Sequence, residues 1–440
     1  MSELDAYSDY VDPQYEPNLS KDIIAIYKIK PAKGFSIEEA AGAVAAESST
    51  GTWTSLATWY NEKRVKELSG VAYEFNELED SYIVKIAYPV ELFEPGNIAA
   101  LIASIAGNVF GMRRVEGLRL EDVYFPKGFL KDFKGPNFGK DVRKIFRITD
   151  RPIVGTVPKP KVGYTSEEVE KLCYELLSGG MDFIKDDENL ASPSYCKFEE
   201  RAKKIVKTIE RVERETGERK VWLANVTADI KEMEKRIKLV SDYGNPYFMV
   251  DVVIAGWGCI RYLRELAEVY NLAIHGHRAM HAAITRNHSH GISMFVLAKL
   301  YRIVGIDQLH IGTAGYGKLE GKRWDVVQYA RVLKDDEFVP EKDDVFHLRQ
   351  RFYDIKAAMP VSSGGLHPGV LPGVIEALGK DLVLQIGGGV LGHPDGILCG
   401  AKAVRQALDA IIEGKPLEEH AKKHKELARA LEKWGVKTHV

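Results

Sequence analysis

The stretch Ile153–Asn189, IVGTVPKPKVGYTSEEVEKLCYELLSGGMDFIKDDEN, decides the fold. It opens on a short apolar run, IVGTVPK, whose β-branched residues suit a strand buried on both faces. A helical run, SEEVEKLCYELLSGG, follows and stops on glycines, as helix C-termini commonly do. A second apolar run, MDFIK, then breaks into the three carboxylates Asp186, Asp187 and Glu188. Strand, helix and strand within roughly 30 residues make one βαβ unit.

Downstream the same rhythm repeats. Candidate strands are VWLANVT (from Val221), YFMVDVV (Tyr247), LAIHGH (Leu272), QLHIGT (Gln308), AMPVSSG (Ala358) and LVLQIGGG (Leu382). Helical runs such as KEMEKRIKLVSDYG, RYLRELAEVYN and GAKAVRQALDAIIEG lie between them. Eight βα units favour a closed (β/α)8 TIM barrel over an open doubly wound sheet. KPLEEHAKKHKELARALEKWG, beyond Gly414, reads as an amphipathic helical extension, so residues 141–440 are expected to form the barrel with that extension. Residues 1–140 have a different pattern. DIIAIYKIKP, SIEEAAGAVAAES, VAYEFNEL, SYIVKIAYPV, NIAALIASIAG and VEGLRLEDVYF give β-α-β-β-α-β, a small ferredoxin-like α+β domain. Ser36 and Glu39 make the capping-box pattern at its first helix. The overall class is α/β.

Global properties narrow the function. The 440-residue chain carries a net charge of only −2, so nothing points to nucleic acid or an anionic membrane surface. Its four cysteines are scattered without a C-x-x-C, which argues against a disulfide framework or thiolate metal site and fits a reducing cytoplasm. The N-terminal segment is acidic and polar, unlike a secretory signal. The longest apolar stretch, Asn97–Met112, is too short and interrupted to span a bilayer. A small-molecule or protein partner in the cytoplasm is the expectation.

A barrel carries its active site at the C-terminal ends of its strands. Strand one ends in Lys159-Pro160-Lys161, strand two in Lys185-Asp186-Asp187-Glu188, and strand five in His275-Gly276-His277-Arg278, with His281 beyond. Strand six ends in His310, strand seven in Ser363-Gly364-Gly365, and strand eight in Gly387-Gly388-Gly389. Period-two alternation points Lys185 and Asp187 to one side and Asp186 to the other. Glu188 joins them only if the chain bends there. Two carboxylates suit a hard divalent cation such as Mg²⁺; an acidic turn of this kind is otherwise a solvated loop. The histidines form a pattern that also holds zinc, although no carboxylate lies close in sequence as a fourth ligand. Gly312–Lys318 satisfies G-x-x-x-x-G-K, but Leu319 stands where a P-loop needs Ser or Thr. The loop reads better as a lid carrying one lysine, with a solvated surface loop as the bland alternative. Glycines ending strands seven and eight offer backbone N–H groups to phosphate, and Arg278, His310 and Ser363 could form a second anion site. Two such sites flanking a metal imply a bisphosphorylated substrate.

Taken together, GGMDFIKDDEN, HGHRAMHA, GKLEG and LQIGGGVLGHP resemble the large subunit of ribulose-1,5-bisphosphate carboxylase/oxygenase (Rubisco), over about residues 20 to 415. The resemblance implies that Lys185 adds CO₂ to become a carbamate and holds Mg²⁺ with Asp187 and Glu188. It implies that Lys159 protonates the final carbanion with Lys161 supporting it, that His277 lies near the C3 oxygen, and that Lys318 grips the incoming carboxylate. Arg278, His310 and Ser363 are similar to one phosphate site. Gly364, Gly365, Gly387 and Gly388, with Thr52 and Trp53, are similar to the other. Glu47 and Asn108 match active-site positions that the family supplies from the neighbouring subunit, which implies a homodimer with shared sites or an oligomer of dimers. Val157, Ile311 and the one-residue-longer lid depart from plant-type enzymes. They resemble the archaeal form III group, which works without small subunits and is associated with AMP and nucleoside salvage.

The implied reaction is enolisation of ribulose 1,5-bisphosphate and addition of CO₂ (or O₂) at C2, giving 3-phosphoglycerate. The carbamate is the expected general base. Because only a neutral amine attacks CO₂, and the adjacent carboxylates are expected to raise the lysine pKa, activation should be slow. The rival readings are a Rubisco-like enolase or isomerase acting on a related phosphosugar, a barrel metallohydrolase and a non-catalytic sugar-phosphate binder. The first usually loses several substrate-contacting residues that are all present here.

Overall fold

A computed structural model of the chain describes residues 7–54, 56–318 and 321–437. Two compact units compose it: Met1–Lys134 with Met280–Val304 and Asp335–Ile355, and Gly135–Ala279 with Gly305–Lys334 and Lys356–Val440.

In the first unit, β1 (Asp22–Pro31), β2 (Val71–Glu77), β3 (Tyr82–Pro89) and β4 (Val115–Tyr124) pair antiparallel in the order β4-β1-β3-β2. Helices Ile37–Glu47 and Ile98–Ile105 complete the expected β-α-β-β-α-β order. The first begins with the capping box read from Ser36 and Glu39. Its run of small residues, Ala40 to Ala46, is wholly buried, so it lies close against β1 and β2.

One boundary differs from the expectation. A single cut near residue 140 assigns everything later to the barrel, yet Met280–Val304 and Asp335–Ile355 group with the first unit. The physical reason lies in the partners these segments find. Gly291–Ile292 adds to β4 as a parallel edge. The Arg119 guanidinium on β4 donates to the Thr285 and Asn287 carbonyls at 3.0 and 2.5 Å. Lys299, on the fully buried helix Met294–Val304, pairs with Asp122.

The second unit is the barrel. Its strands are β5 (Ile153–Thr156), β6 (Phe183–Lys185), β7 (Val221–Asn225), β8 (Tyr247–Asp251), β9 (Ala273–His277), β10 (Gln308–His310), β11 (Met359–Ser363) and β12 (Val383–Gln385). Every neighbouring pair is parallel, and the sheet closes as β10-β11-β12-β5-β6-β7-β8-β9. All eight candidate strands are present, each shorter than its apolar run; most lose C-terminal residues that leave the ladder to build loops, whereas MDFIK and LAIHGH lose only residues at their N-terminal ends. Inward side chains, among them Ile153, Phe183, Leu223, Met249, Val361 and Val383, form one buried cluster. Phe146 packs into it edge-on or tilted, 5.6 Å from the Tyr247 ring and 6.3 Å from that of Phe183. Each such side chain contributes about 1.5–3 kcal/mol on burial, so this is a packed core and not a pore.

The C-terminal extension forms two helices, Leu417–Ala421 and Lys425–Trp434, where one was expected. His424 takes an extended conformation between them, and the second helix turns Leu427 and Ala430 inward. No helix among the described residues is long and apolar enough to cross a membrane.

Candidate active site

The site is built at the C-terminal ends of the barrel strands. Lys185, the last residue of β6, is completely buried, and its Nζ donates to the Asp186 carbonyl at 2.7 Å. Alternation then sends Asp186 away from it. That carboxylate accepts from Arg201 Nη2 (3.0 Å), Trp222 Nε1 (3.0 Å) and the Asn225 N–H (3.1 Å). Asp187 returns to the other side, where Lys159 Nζ donates to its Oδ2 at 2.5 Å. Glu188 accepts from Lys161 Nζ at 3.1 Å and lies 3.7 Å from His277 Nε2.

The bend that brings Glu188 round is held by Asn225, at the end of β7. Its side-chain amide donates to the carbonyls of Asp187 and Glu188 at 3.3 and 3.2 Å. At the end of β8, Asp251 Oδ1 lies 2.6 Å from His277 Nδ1 and so orients that ring. Strands three and four carry no residue of the sequence-predicted site. Their polar last residues, Asn225 and Asp251, each at the end of an apolar run, were the available signal.

Electrostatics correct one expectation. Burial drives the Lys185 pKa down, and it outweighs the upward pull of Glu188, Asp251, Asp187 and Asp186; the net shift is downward, not upward. Desolvation penalises the ammonium more than the carboxylates stabilise it. Burial and Lys185 likewise hold His277 below the ordinary imidazole range, against Asp251 and Glu188. Burial pushes Glu188 up, but His277, Lys185 and Lys161 outweigh it and bring its pKa to about 2.

Beside this acidic group, His310 Nδ1 is 2.7 Å from Ser363 Oγ, and the His277 and His310 rings are 4.8 Å apart. Arg278 is buried, with its guanidinium facing the start of the glycine-rich loop; a Cβ on Gly312 would lie 3.5 Å from Nη2. The Lys318 N–H donates to the Gly364 carbonyl at 2.9 Å. Gly365 has φ +89°, and a Cβ there would come within 2.7 Å of the Lys318 nitrogen, so this approach requires glycine. A Cβ on Gly387 would sit 3.6 Å from Lys159 Cε, and Gly388 starts a short helical turn. Lys159, Lys161, Lys185, Asp187, Glu188, His277, Arg278, His310, Lys318, Ser363, Gly364, Gly365, Gly387 and Gly388 are therefore on the strand ends of one barrel or the loops that follow them. Leu319 and Glu320 of the lid motif lie outside the described residues.

In the other unit, Asn108 Nδ2 donates to Glu47 Oε1 at 3.3 Å. Trp53 is 67% exposed, beside the half-buried Thr52. Among the described residues no three His, Cys, Asp or Glu side chains are grouped to hold a metal ion. Asp187 and Glu188 alone supply two carboxylates. A carbamate on Lys185 would add a third oxygen donor, and an all-oxygen set fits a hard cation such as Mg²⁺. His277 and His310, by contrast, are engaged with Asp251, His275 and Ser363.

A family model described as ribulose bisphosphate carboxylase large chain, catalytic domain, matches residues 140–434, and its N-terminal-domain counterpart matches residues 9–129. The chain belongs to the ribulose bisphosphate carboxylase large-chain family. It is 69% identical to a protein named ribulose bisphosphate carboxylase from Archaeoglobus fulgidus, over 100% of both chains. A crystal structure of an archaeal Rubisco superposes with a TM-score of 0.94 at 62% identity, covering 97% of this chain and 100% of that one. A dimeric archaeal Rubisco from Hyperthermus butylicus gives 0.93 at 53% identity, covering 98% and 99%. The Rubisco large-chain models meet between residues 129 and 140, on either side of the Lys134–Gly135 border of the two units.

Proposed function

We propose that the protein is a ribulose-bisphosphate carboxylase: it enolises ribulose 1,5-bisphosphate, adds CO₂ at C2, and hydrates and cleaves the product to two 3-phosphoglycerates. The observation that carries this reading is the buried Lys185 beside Asp187 and Glu188, faced by Lys159, Lys161 and His277. Carbamylated Lys185, Asp187 and Glu188 would hold Mg²⁺, which when bound supplies Lewis-acid stabilisation of the enediolate. Burial favours the neutral form of the Lys185 amine, the only form that attacks the activating CO₂.

The chain's own groups divide the remaining work. Asp251 fixes the His277 ring with Nε2 toward the substrate's C3 oxygen. Lys159, on a flexible stem over Asp187, carries the proton delivered to the C2 carbanion. Lys161 keeps Glu188 in place, and Lys318 approaches the incoming carboxylate from the glycine-rich loop. Arg278 takes one phosphate end, with His310 and Ser363 beside it. The backbone at Gly364, Gly365, Gly387 and Gly388 takes the other, together with Thr52 and Trp53. Glu47 and Asn108, paired with each other, complete the site from a second subunit, so the working unit is a homodimer or a multiple of it. The form III departures support a reading in which the reaction serves AMP and nucleoside salvage in the cytoplasm, without a small subunit.

The decisive experiment supplies Mg²⁺, ¹⁴C-labelled CO₂ and ribulose 1,5-bisphosphate. Labelled 3-phosphoglycerate is the expected product. An absence of label beside a competent control enzyme would sink the carboxylase reading, and isomerised sugar would favour a Rubisco-like enolase or isomerase.

A further inference from the structure

Five groups form one hydrogen-bonded chain through the barrel interior. Gln308 Nε2 donates to the Tyr247 hydroxyl at 3.0 Å, and Gln308 Oε1 lies 2.9 Å from His275 Nδ1. His275 Nε2 lies 2.8 Å from His310 Nε2, and His310 Nδ1 lies 2.7 Å from Ser363 Oγ. Tyr247 opens β8 and Gln308 opens β10; both are buried, at the opposite ends of their strands from the site.

The 2.8 Å contact between the two Nε2 atoms requires one of them to be bare, and burial, which holds both imidazoles well below the ordinary range, favours a single ring proton on each. A neutral imidazole donates at one nitrogen and accepts at the other. The direction of one bond therefore dictates the next. With the Gln308 NH₂ donating to Tyr247, its carbonyl accepts the His275 Nδ1–H. His275 Nε2 is then bare and accepts from His310 Nε2–H. His310 Nδ1 is bare in turn and accepts the Ser363 hydroxyl proton. Ser363 consequently turns its lone pairs, and not its proton, toward the mouth. Rotating the Gln308 amide by half a turn would reverse every bond.

We propose that Gln308 is a positioning residue whose amide sets the polarity of this chain and so fixes Ser363 as a hydrogen-bond acceptor toward a hydroxyl of the bound sugar. The inference deepens the carboxylase reading and rests on it only for the identity of that substrate.

Neutron diffraction from deuterium-exchanged crystals of the ligand-free protein reads the proton positions directly. Deuterium is expected on His275 Nδ1 and His310 Nε2, and deuterium on His310 Nδ1 alone would overturn the proposal. In Gln308→Leu, the His310 deuteron should divide between the two nitrogens or move to Nδ1; an unchanged Nε2 site would equally overturn it. In kinetics, Gln308→Leu should raise KM for ribulose 1,5-bisphosphate about tenfold, the size of one mispaired hydrogen bond, with a smaller effect on kcat. In a Ser363→Ala background the same substitution should change KM less than about twofold, because the path to substrate is already cut. An equal rise in both backgrounds would show a merely structural role and reject the proposal. Where Gln308→Leu fails to fold, Tyr247→Phe, which frees the amide to turn, takes its place with the same expectations. The proton positions are measured without turnover, so a failure of the carboxylase reading would leave that result standing.

Discussion

The two ends of β6 carry aspartates with opposite kinds of partner. Asp182, just before the strand, accepts from both terminal nitrogens of Arg151 at 2.6 and 2.7 Å and from the Val154 N–H at 2.8 Å. Asp187, just beyond it, has a single lysine on Oδ2 and the Asn189 N–H on Oδ1. A planar guanidinium in fork geometry is rigid and hard to exchange, whereas an ammonium on a four-carbon stem can leave and return. One strand thus carries a permanent brace at the closed end of the barrel and an exchangeable pair at the open end. Stability and chemistry separate along it, as expected of the two faces of a barrel.

Breaking the open end should produce the largest effect and leave the fold standing. Lys185→Met or Asp187→Asn is expected to lower carboxylation by more than about 10³-fold, because each removes one of three groups that act as a unit. Circular dichroism and thermal unfolding should stay close to wild type. Near-normal turnover in either variant would show that the metal site has been misplaced.

Breaking the closed end should do the converse. Asp182→Ala leaves Arg151 buried without its fork, and removing one partner of a buried pair typically costs about 3–5 kcal/mol. Denaturant unfolding should show that loss, while KM for ribulose 1,5-bisphosphate in the surviving folded protein changes little. If Asp182→Ala were as stable as wild type but inactive, the division of labour along β6 would be wrong.

The same division explains what was legible in the sequence. Strands β5 to β12 announced themselves because strands buried on both faces read as apolar runs, and Lys159, Lys185, His277, His310 and Ser363 follow directly from where those runs stop. Period two also separated Asp187 from Asp186, though not what Asp186 does: it anchors Arg201 and Trp222, which lie far along the chain. Asn225, Asp251 and Gln308 were missed because each acts through a neighbour on another strand, and a linear pattern contains no such neighbour. The grouping of Met280–Val304 with the first unit was hidden for the same reason, since its partners Arg119 and Asp122 precede it by more than 150 residues. The direction of the Lys185 shift needed a burial that no local reading supplies.

The smallest effect expected is at the exposed pair. Lys161 Nζ donates to Glu188 at 3.1 Å, but the lysine side chain is 55% exposed, so solvent and salt screen most of the attraction. Lys161→Met should therefore lower stability by no more than about 1 kcal/mol at neutral pH. Its hydrogen bond to Glu188 and that group's charge raise the lysine pKa above its ordinary value. A raised folded-state pKa gives stability that is fully present below the free-lysine value and disappears as pH rises through the folded one. The difference in unfolding free energy between wild type and Lys161→Met should accordingly hold constant from about pH 8 to about pH 10 and shrink above about pH 10.5, and it should shrink on adding salt at pH 8. A gap as large as that of Asp182→Ala, or one indifferent to salt and pH, would mean that Lys161 is a fixed brace like Arg151 and not an exchangeable cation.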